Sequence, residues 1–569
     1  MATMRTGGDI LLDCLERYGV EYIFCSPGTE WAPVWEGLAK RQAEGNNQLK
    51  YINCRHENLA VSLAQGYYEA TGKLAAVLLH SGVGTLNGAL AIRTAYFAKS
   101  AMLIMSGETY EHGGDGQGRP QGFHWLAMLS DIGGPSQLVK DYVKWSNSIH
   151  SKDGMIDAIN RGIQIARSPV PGPSFVTVAP ELLAREYPPE NIRSPFPSSI
   201  NIELPIEGLG EAATWLIESS RPVILTERVG LYPGAVPALV SLAELLAVPV
   251  FDFFAFAGNF PKGHPLYQGY DSLQALAEAD VVLVVGSNHP WYPPSVCVRE
   301  NLKIILLDDD SLHENIPHWG YRIDLALTAD IEKGLVALSD ILKSRLADGG
   351  GRTPEISERL TFWKGRHDKM LQEWNTASEA EAHNLPISAR WFLRRAHELL
   401  PADSLIVDET IMHTRSVHQY MAGESNYFRP TYGGLGVGFG EAIGVKIANP
   451  QKPVVLVIGD GTFNYNPVLA GFGLCQEYRL PILVILINNG GYLAMKRGHS
   501  GLYPHGAAVT NRTFFGVDIT PTPDYGKIAE AFGAYSEKLE SNEEIQPAIE
   551  RALRELKRGR TALLDVVMN

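Results

Sequence analysis

Short apolar runs of strand length recur along the chain, each followed by a stretch whose apolar positions carry helical spacing. In the first third, Tyr22–Ser26, Tyr51–Asn53, Leu74–His80 and Ala101–Gly107 read as strands, and Trp31–Ala43, His56–Thr71 and Thr85–Ala98 as helices. The rhythm returns with strands at Pro222–Thr226, Pro249–Phe253, Asp280–Gly286 and Lys303–Asp308, closed by an amphipathic helix over Ile331–Leu346. It returns again with strands at Ser404–Asp408, Pro453–Ile458, Pro481–Ile487 and Ala562–Val567, and a helix over Glu441–Ile447. Continuously apolar strands alternating with helices predict parallel sheets covered on both faces. Polar, Pro- or Gly-rich passages divide the blocks at Glu186–Ser199 and Asp348–Pro354. The expectation is an α/β protein of three doubly wound parallel-sheet domains, over residues 1–185, 200–346 and 375–569.

Composition narrows the function more than the fold. The 49 Lys and Arg are outnumbered by 63 Asp and Glu, a net charge of −14, which argues against a nucleic-acid partner. The longest apolar runs are strand-length, far short of a membrane span, and the opening twenty residues carry charges within their apolar pattern rather than a signal-peptide core. Five cysteines (Cys14, Cys25, Cys54, Cys297 and Cys475) are widely scattered, which favours a reducing compartment. A soluble, cytoplasmic protein is expected.

The sharpest local signal is Gly459-Asp460-Gly461 directly after the strand VVLVI, followed 26 residues later by Asn488-Asn489-Gly490-Gly491-Tyr492 after the strand ILVILI. Both segments fall at carboxyl ends of parallel strands, where open α/β sheets bind ligands. Glycines admit close approach of a phosphate to backbone amides, and the following helix end favours its charge. Asp460 and an Asn oxygen are hard donors suited to Mg²⁺ shared with a diphosphate. Either segment alone is equally a β–α turn. Their pairing at this spacing favours a ligand site.

With these residues in hand, the chain resembles the thiamine-diphosphate-dependent enzymes, whose cofactor signature is GDG, about 26 residues, then NN. The resemblance spans nearly the whole chain and implies a pyrimidine-binding, a central and a diphosphate-binding domain, in that order. It implies Asp460, Asn489 and the carbonyl of Gly491 as metal ligands, a choice between Asn488 and Asn489 that the residues themselves leave open. It implies Leu435 as the apolar wedge that bends the cofactor, and the Gly433 carbonyl as a contact of its exocyclic amine. It implies Glu57 as the carboxyl group that promotes the cofactor's imino tautomer; read alone, Glu57 suits the first turn of a helix. Many relatives have a proline soon after the wedge, where this chain has Gly440-Glu441. The cofactor of such enzymes lies between two subunits, so a homodimer, commonly a homotetramer, is expected.

His80-Ser81 ends the third strand, as in benzoylformate-decarboxylase-like members, where this histidine faces substrate and moves protons. Pro27-Gly28-Thr29 resembles a loop whose hydroxyl meets the substrate carboxylate, while Thr29 alone would serve as a helix N-cap. No His-His pair of the pyruvate-decarboxylase kind occurs within Glu108–His124, and Met495 stands where those enzymes place a glutamate. His112, Arg119, Phe123, His124 and Trp125 form a polar-aromatic loop near the expected entry; His289 with Trp291, and His413 with His418, are further pocket candidates. The resemblance implies decarboxylation of a 2-oxo acid through a covalent thiamine adduct and enamine, with release of aldehyde. The alternatives are an acetolactate-synthase-like carboligase that joins the enamine to a second carbonyl, a flavin (FAD)-containing oxidase, and a non-catalytic cofactor-binding scaffold.

Overall fold

Val-, Ile- and Leu-rich runs become strands buried along their whole length, as in Val281–Val285, and they assemble into three parallel sheets. The computed structural model describes residues 4–108, 129–188, 202–232, 234–296, 298–347, 353–430 and 433–568. The first sheet holds β1 (Tyr22–Cys25), β2 (Lys50–Asn53), β3 (Ala75–Leu79), β4 (Met102–Gly107), β5 (Trp145–Ile149) and β6 (Pro173–Val178), in the order β2-β1-β3-β4-β6-β5. The second holds β7 (Pro222–Thr226), β8 (Val250–Phe251), β9 (Val281–Val285), β10 (Lys303–Asp308) and β11 (Leu325–Thr328), in the order β8-β7-β9-β10-β11. The third holds β12 (Leu405–Glu409), β13 (Tyr427–Phe428), β14 (Val454–Gly459), β15 (Leu483–Asn488), β16 (Tyr535–Leu539) and β17 (Ala562–Val567), in the order β13-β12-β14-β15-β17-β16. The first and third sheets therefore share one topology, and in each the strand order reverses beside the first strand of the sheet.

Strands absent from the sequence expectation lie mostly at sheet edges. β5 (WSNSI) and β16 (YSEKL) are only partly buried, so they lack the continuous apolar run of their neighbours. Between the second and third sheets stands a 27-residue helix, Thr353–Glu379. It is anchored by Arg359, which donates to the Leu246 carbonyl at 2.7 Å, and by Trp374, whose carbonyl accepts from Tyr420 Oη at 2.9 Å.

Two helices join the first and third sheets: α1 (Glu57–Thr71) and α2 (Gly438–Ala448). They cross with almost no space between their backbones. A Cβ at Gly66 would overlap the Glu441 carbonyl, and one at Gly444 would overlap the Leu63 carbonyl. The first and second domains are tied by charge instead, with Lys99 Nζ of the first 2.8 Å from Asp309 of the second, whose carboxylate Arg228 of the same domain also holds.

The α1–α2 crossing also buries Glu441. Its carboxyl pairs with that of Glu69, whose Oε1 accepts from Gln65 and Ser100. Burial pushes Glu69 up to about 7, and burial, then Glu69, then the charges of Glu409 and Asp408 push Glu441 well up. The folded chain thus retains a proton that the unfolded chain releases. Its stability is complete below the unfolded carboxyl range near 4.5 and declines as pH rises through 7. Glu441→Gln should therefore raise the unfolding midpoint at pH 8 and leave it near parent at pH 4.5. Equal shifts at both pH values would show that the two carboxyls share no proton.

Candidate active site

Open α/β sheets take ligands in the crevice at the carboxyl edge where strand order reverses. In the first sheet that crevice lies between the ends of β1 and β3, and Gly28, Thr29, Glu30 and His80 occupy it. His80 sits at the N-cap of the helix Ser81–Phe97, which begins four residues before the expected Thr85. Its Nδ1 meets both carboxylate oxygens of Glu30, at 2.9 and 3.0 Å, and the Ser81 amide donates to Glu30 Oε1 at 3.0 Å. Glu30 is 1% exposed whereas the His80 ring is 36% exposed, so a buried anion holds a ring open to the crevice. A Cβ at Gly28 would overlap both His80 Nδ1 and Glu30, which explains a glycine there. Hydrogen bonding to Glu30 is the main cause raising the His80 pKa; burial opposes it, and the charges of Glu30, Glu57 and Asp131 add to it.

Glu57 opens α1, half-buried, behind the N-cap His56 whose Nδ1 accepts the Asn58 amide at 3.2 Å. Asn87, from the helix that starts after His80, donates from Nδ2 to Glu57 Oε2 at 2.5 Å. Glu57 and His80 are neighbours: a Cβ at Gly84 would stand 3.2 Å from Glu57 and 3.0 Å from His80. Thr29 is exposed and opens the short helix Thr29–Trp31, with Gly28 rather than Thr29 in the N-cap position. Glu30 and Asn87, the side chains that hold His80 and Glu57, carried no local signal in the sequence. Their partners lie 50 and 30 residues away.

In the third sheet the corresponding crevice lies between the ends of β12 and β14, that is, between Glu409 and Asp460. Asp460 begins the helix Asp460–Tyr465 and is 2% exposed. Its Oδ1 accepts the Gly461 amide at 2.7 Å, and its Oδ2 accepts the amides of Asn489 and Gly490 at 3.1 and 2.6 Å. The GDG and NNGG segments thus converge on one carboxylate. Burial raises its pKa, and the surrounding amides counter this. A Cβ at Gly461 would press on the Tyr492 ring at 2.7 Å, so a larger residue there would have to displace that ring.

The two asparagines differ. Asn488 is buried and donates to Asp565 at 2.9 Å inside the sheet, whereas Asn489 is half-buried and its Oδ1 accepts the Gly491 amide at 3.1 Å. Gly491 lies opposite Asp518 in a bridge built from the Gly490 carbonyl and the Tyr492 amide, so it contributes neither of its own groups to that bridge. A buried carboxylate neutralised only by amides, beside an amide oxygen and a glycine turn, fits an oxygen-coordinated divalent cation with a diphosphate. Gly433 and half-buried Leu435 lie in the loop that leads into α2, which begins at Gly438 rather than the expected Glu441. Gly459 is the N-cap residue of the Asp460 helix.

The remaining candidates fall elsewhere. His413 lies at the N-cap of the helix Thr414–Met421, and burial, with Arg497 nearby, pushes its pKa down to about 4. His418 is buried and pairs with Asp252 at 3.1 Å, so it joins the second and third domains. His289 lies at the carboxyl edge of the second sheet with its amide donating to Glu227, and Trp291 is buried. Met495 is exposed in the first turn of the helix Leu493–Leu502. His112, Arg119, Phe123, His124 and Trp125 lie outside the described residues.

The second sheet does not fit a flavin. Buried Glu227 accepts from Ser287 Oγ and from the amides of Asn288 and His289, at 2.9, 2.6 and 2.9 Å. Those are donors that a nucleotide diphosphate would need at this edge, and the chain's own carboxylate takes them. Among the described residues, no helix is long and apolar enough to cross a membrane.

Comparison with known proteins agrees with this geometry. Residues 5–127, 209–338 and 411–566 match the N-terminal TPP binding, central and C-terminal TPP binding domains of the thiamine pyrophosphate enzymes. The sulfoacetaldehyde acetyltransferase of Roseovarius nubinhibens is 25% identical over 99% of this chain and 92% of its own length. The benzoylformate decarboxylase of Pseudomonas aeruginosa is 25% identical over 97% of both chains. In fold, the chain is similar to the thiamine diphosphate-dependent 4-hydroxybenzoylformate decarboxylase of Rhodococcus jostii RHA1, with a TM-score of 0.78, 22% identity and 99% of each chain covered. Three matched domains in family order, with the two cofactor segments meeting at Asp460, make this chain a member of the thiamine-pyrophosphate-dependent enzyme family.

Proposed function

We propose that the protein is a thiamine-diphosphate- and Mg²⁺-dependent decarboxylase that converts a 2-oxo acid to an aldehyde. The observation that carries this reading is the Glu30–His80 pair, a buried carboxylate fixing a half-open imidazole beside Glu57. Thiamine diphosphate supplies, when bound, a thiazolium carbon that attacks the substrate carbonyl and takes up the electrons released with CO₂.

Asp460, Asn489 and the Gly491 carbonyl hold the metal ion in this reading, and Gly459 and Gly461 give the diphosphate access to backbone amides. The placement of Asn488 against Asp565 supports Asn489 as the ligand. Glu57, oriented by Asn87, presents its carboxyl group to the aminopyrimidine ring, while Gly433 and Leu435 contact the cofactor. Glu30 keeps the proton of His80 on Nδ1 and leaves Nε2 to give or take a proton at the substrate. Because Glu30 raises the His80 pKa, the ring stays a competent acid to higher pH than a free imidazole. Thr29 offers its hydroxyl to the substrate carboxylate.

The two halves come from two subunits in this reading. Val83, Leu86 and Leu90 form an exposed apolar stripe on the helix that follows His80, and Tyr465, Leu469, Met495 and Tyr503 are exposed around the Asp460 side. Apolar surface beside both half-sites supports a homodimer at minimum.

A carboligase is the second reading, favoured by Met495, which puts a thioether where an acid would speed protonation. Incubation with a panel of 2-oxo acids, with and without an acceptor aldehyde, separates the two. Free aldehyde at every acceptor concentration is the expected product, and conversion chiefly to acyloin would replace the decarboxylase reading with the carboligase. The Glu227 network further predicts that the purified protein is colourless. Flavin absorbance near 450 nm at one equivalent per chain would contradict that.

A further inference from the structure

Glu409 ends β12 on the far side of the crevice from Asp460 and is 4% exposed. Its Oε1 accepts the amides of Gly436 and Val437, both at 2.8 Å, and its Oε2 accepts Asn466 Nδ2 at 2.7 Å. Asn466 directly follows the helix that begins at Asp460. Its Oδ1 accepts the Phe439 amide at 3.0 Å, and its Nδ2 also donates to the Thr462 carbonyl at 3.0 Å. Two side chains therefore clamp three pieces of backbone: the end of β12, the loop that carries Gly433 and Leu435, and the helix that carries Asp460. The fit is tight, because Gly436 has φ +111° and a Cβ there would press on the Tyr465 carbonyl at 2.6 Å.

The amides of Gly436 and Val437 stand at the entrance to α2, where a helix would otherwise present them to an external anion. Glu409 satisfies them from inside the fold, which leaves cofactor phosphate to the Gly459–Gly461 side. We propose that Glu409 is a positioning residue that, through Asn466, fixes Leu435 relative to Asp460 so that the cofactor wedge and the metal ligand move as one unit. This rests on the reading of Leu435 and Asp460 as cofactor contacts. The clamp works by donor–acceptor polarity, since its partners are amides.

Polarity can be reversed without changing shape. Glu409→Gln sets an amide donor against the Asn466 amide donor, and Asn466→Asp sets two carboxylates face to face. The double variant Glu409→Gln/Asn466→Asp restores a donor and an acceptor between the two side chains, with the glutamine carbonyl still accepting the two loop amides; the Thr462 carbonyl alone loses its donor. Thiamine diphosphate affinity in Mg²⁺ is measured by calorimetry for each variant, together with its melting midpoint without cofactor. Each single variant should bind about 10- to 100-fold more weakly than the parent, and the double variant should return to within about 3-fold. A merely structural clamp would lower the melting midpoint and leave affinity per folded molecule unchanged, which overturns the proposal. Singles that bind like the parent, or a double variant weaker than either single, also overturn it. If neither single variant folds while the double variant folds and binds, the pair is a folding element and the positioning claim falls. A parent chain that binds no thiamine diphosphate would instead defeat the underlying reading of the site.

Discussion

Asp460→Ala should abolish binding of thiamine diphosphate in Mg²⁺, with affinity expected to fall more than about 100-fold. Asp460 is the charged member of the expected donor set, and the other two donors are neutral oxygens. Its carboxylate is buried, and the amides of Gly461, Asn489 and Gly490 all point to it. Alanine removes the charge that recruits Mg²⁺ and leaves those amides without an acceptor. Asp460→Asn separates the two effects in part, because its one oxygen can still accept the Asn489 and Gly490 amides while its NH2 faces the Gly461 amide, and the charge is gone. Calorimetry with the metal and cofactor together is the measurement. Parent-like affinity in both variants would remove the metal from this crevice.

Glu57→Gln should leave the cofactor bound within a few-fold of parent affinity and slow exchange of its C2 proton by about 10²- to 10⁴-fold. The magnitude follows from polarity. Asn87 donates to Glu57 at 2.5 Å, so a glutamine must turn its carbonyl to Asn87 and its amide group outward. An amide can donate a hydrogen bond to the pyrimidine ring but cannot share a titrating proton with it. Exchange rates followed by NMR on the reconstituted protein test this, and a parent-like rate in the variant would assign activation to another group.

How much of this was legible in the sequence depends on how local each signal is. Strands such as β9, β14 and β15 are buried on both faces, so burial writes itself into them as continuous Val, Ile and Leu. β5 and β16 are half-exposed and mix Ser, Asn, Glu and Lys with apolar residues, which hides them from the same criterion. The segments Gly459-Asp460-Gly461 and Asn488-Asn489 were readable because each is contiguous at a strand end, whereas the difference between the two asparagines lies in the Asp565 contact, 77 residues on from Asn488. Glu30, Asn87 and Asn466 were not, because each acts on a residue at least 30 positions away and looks, in isolation, like a capping or surface side chain. Glu441 reads in the sequence only as part of the helix that follows the 433–438 loop. Its pairing with Glu69 is a fact of the helix crossing, which periodicity cannot supply.

The most direct test is CO₂ release from a panel of 2-oxo acids by protein stripped of metal and cofactor, then reconstituted with each alone and with both. The account predicts no turnover in the stripped protein, none with either component alone, and recovery saturating near one thiamine diphosphate per chain when Mg²⁺ is also present. Undiminished CO₂ release after complete stripping, or no release from any 2-oxo acid after cofactor binding is demonstrated, would contradict it.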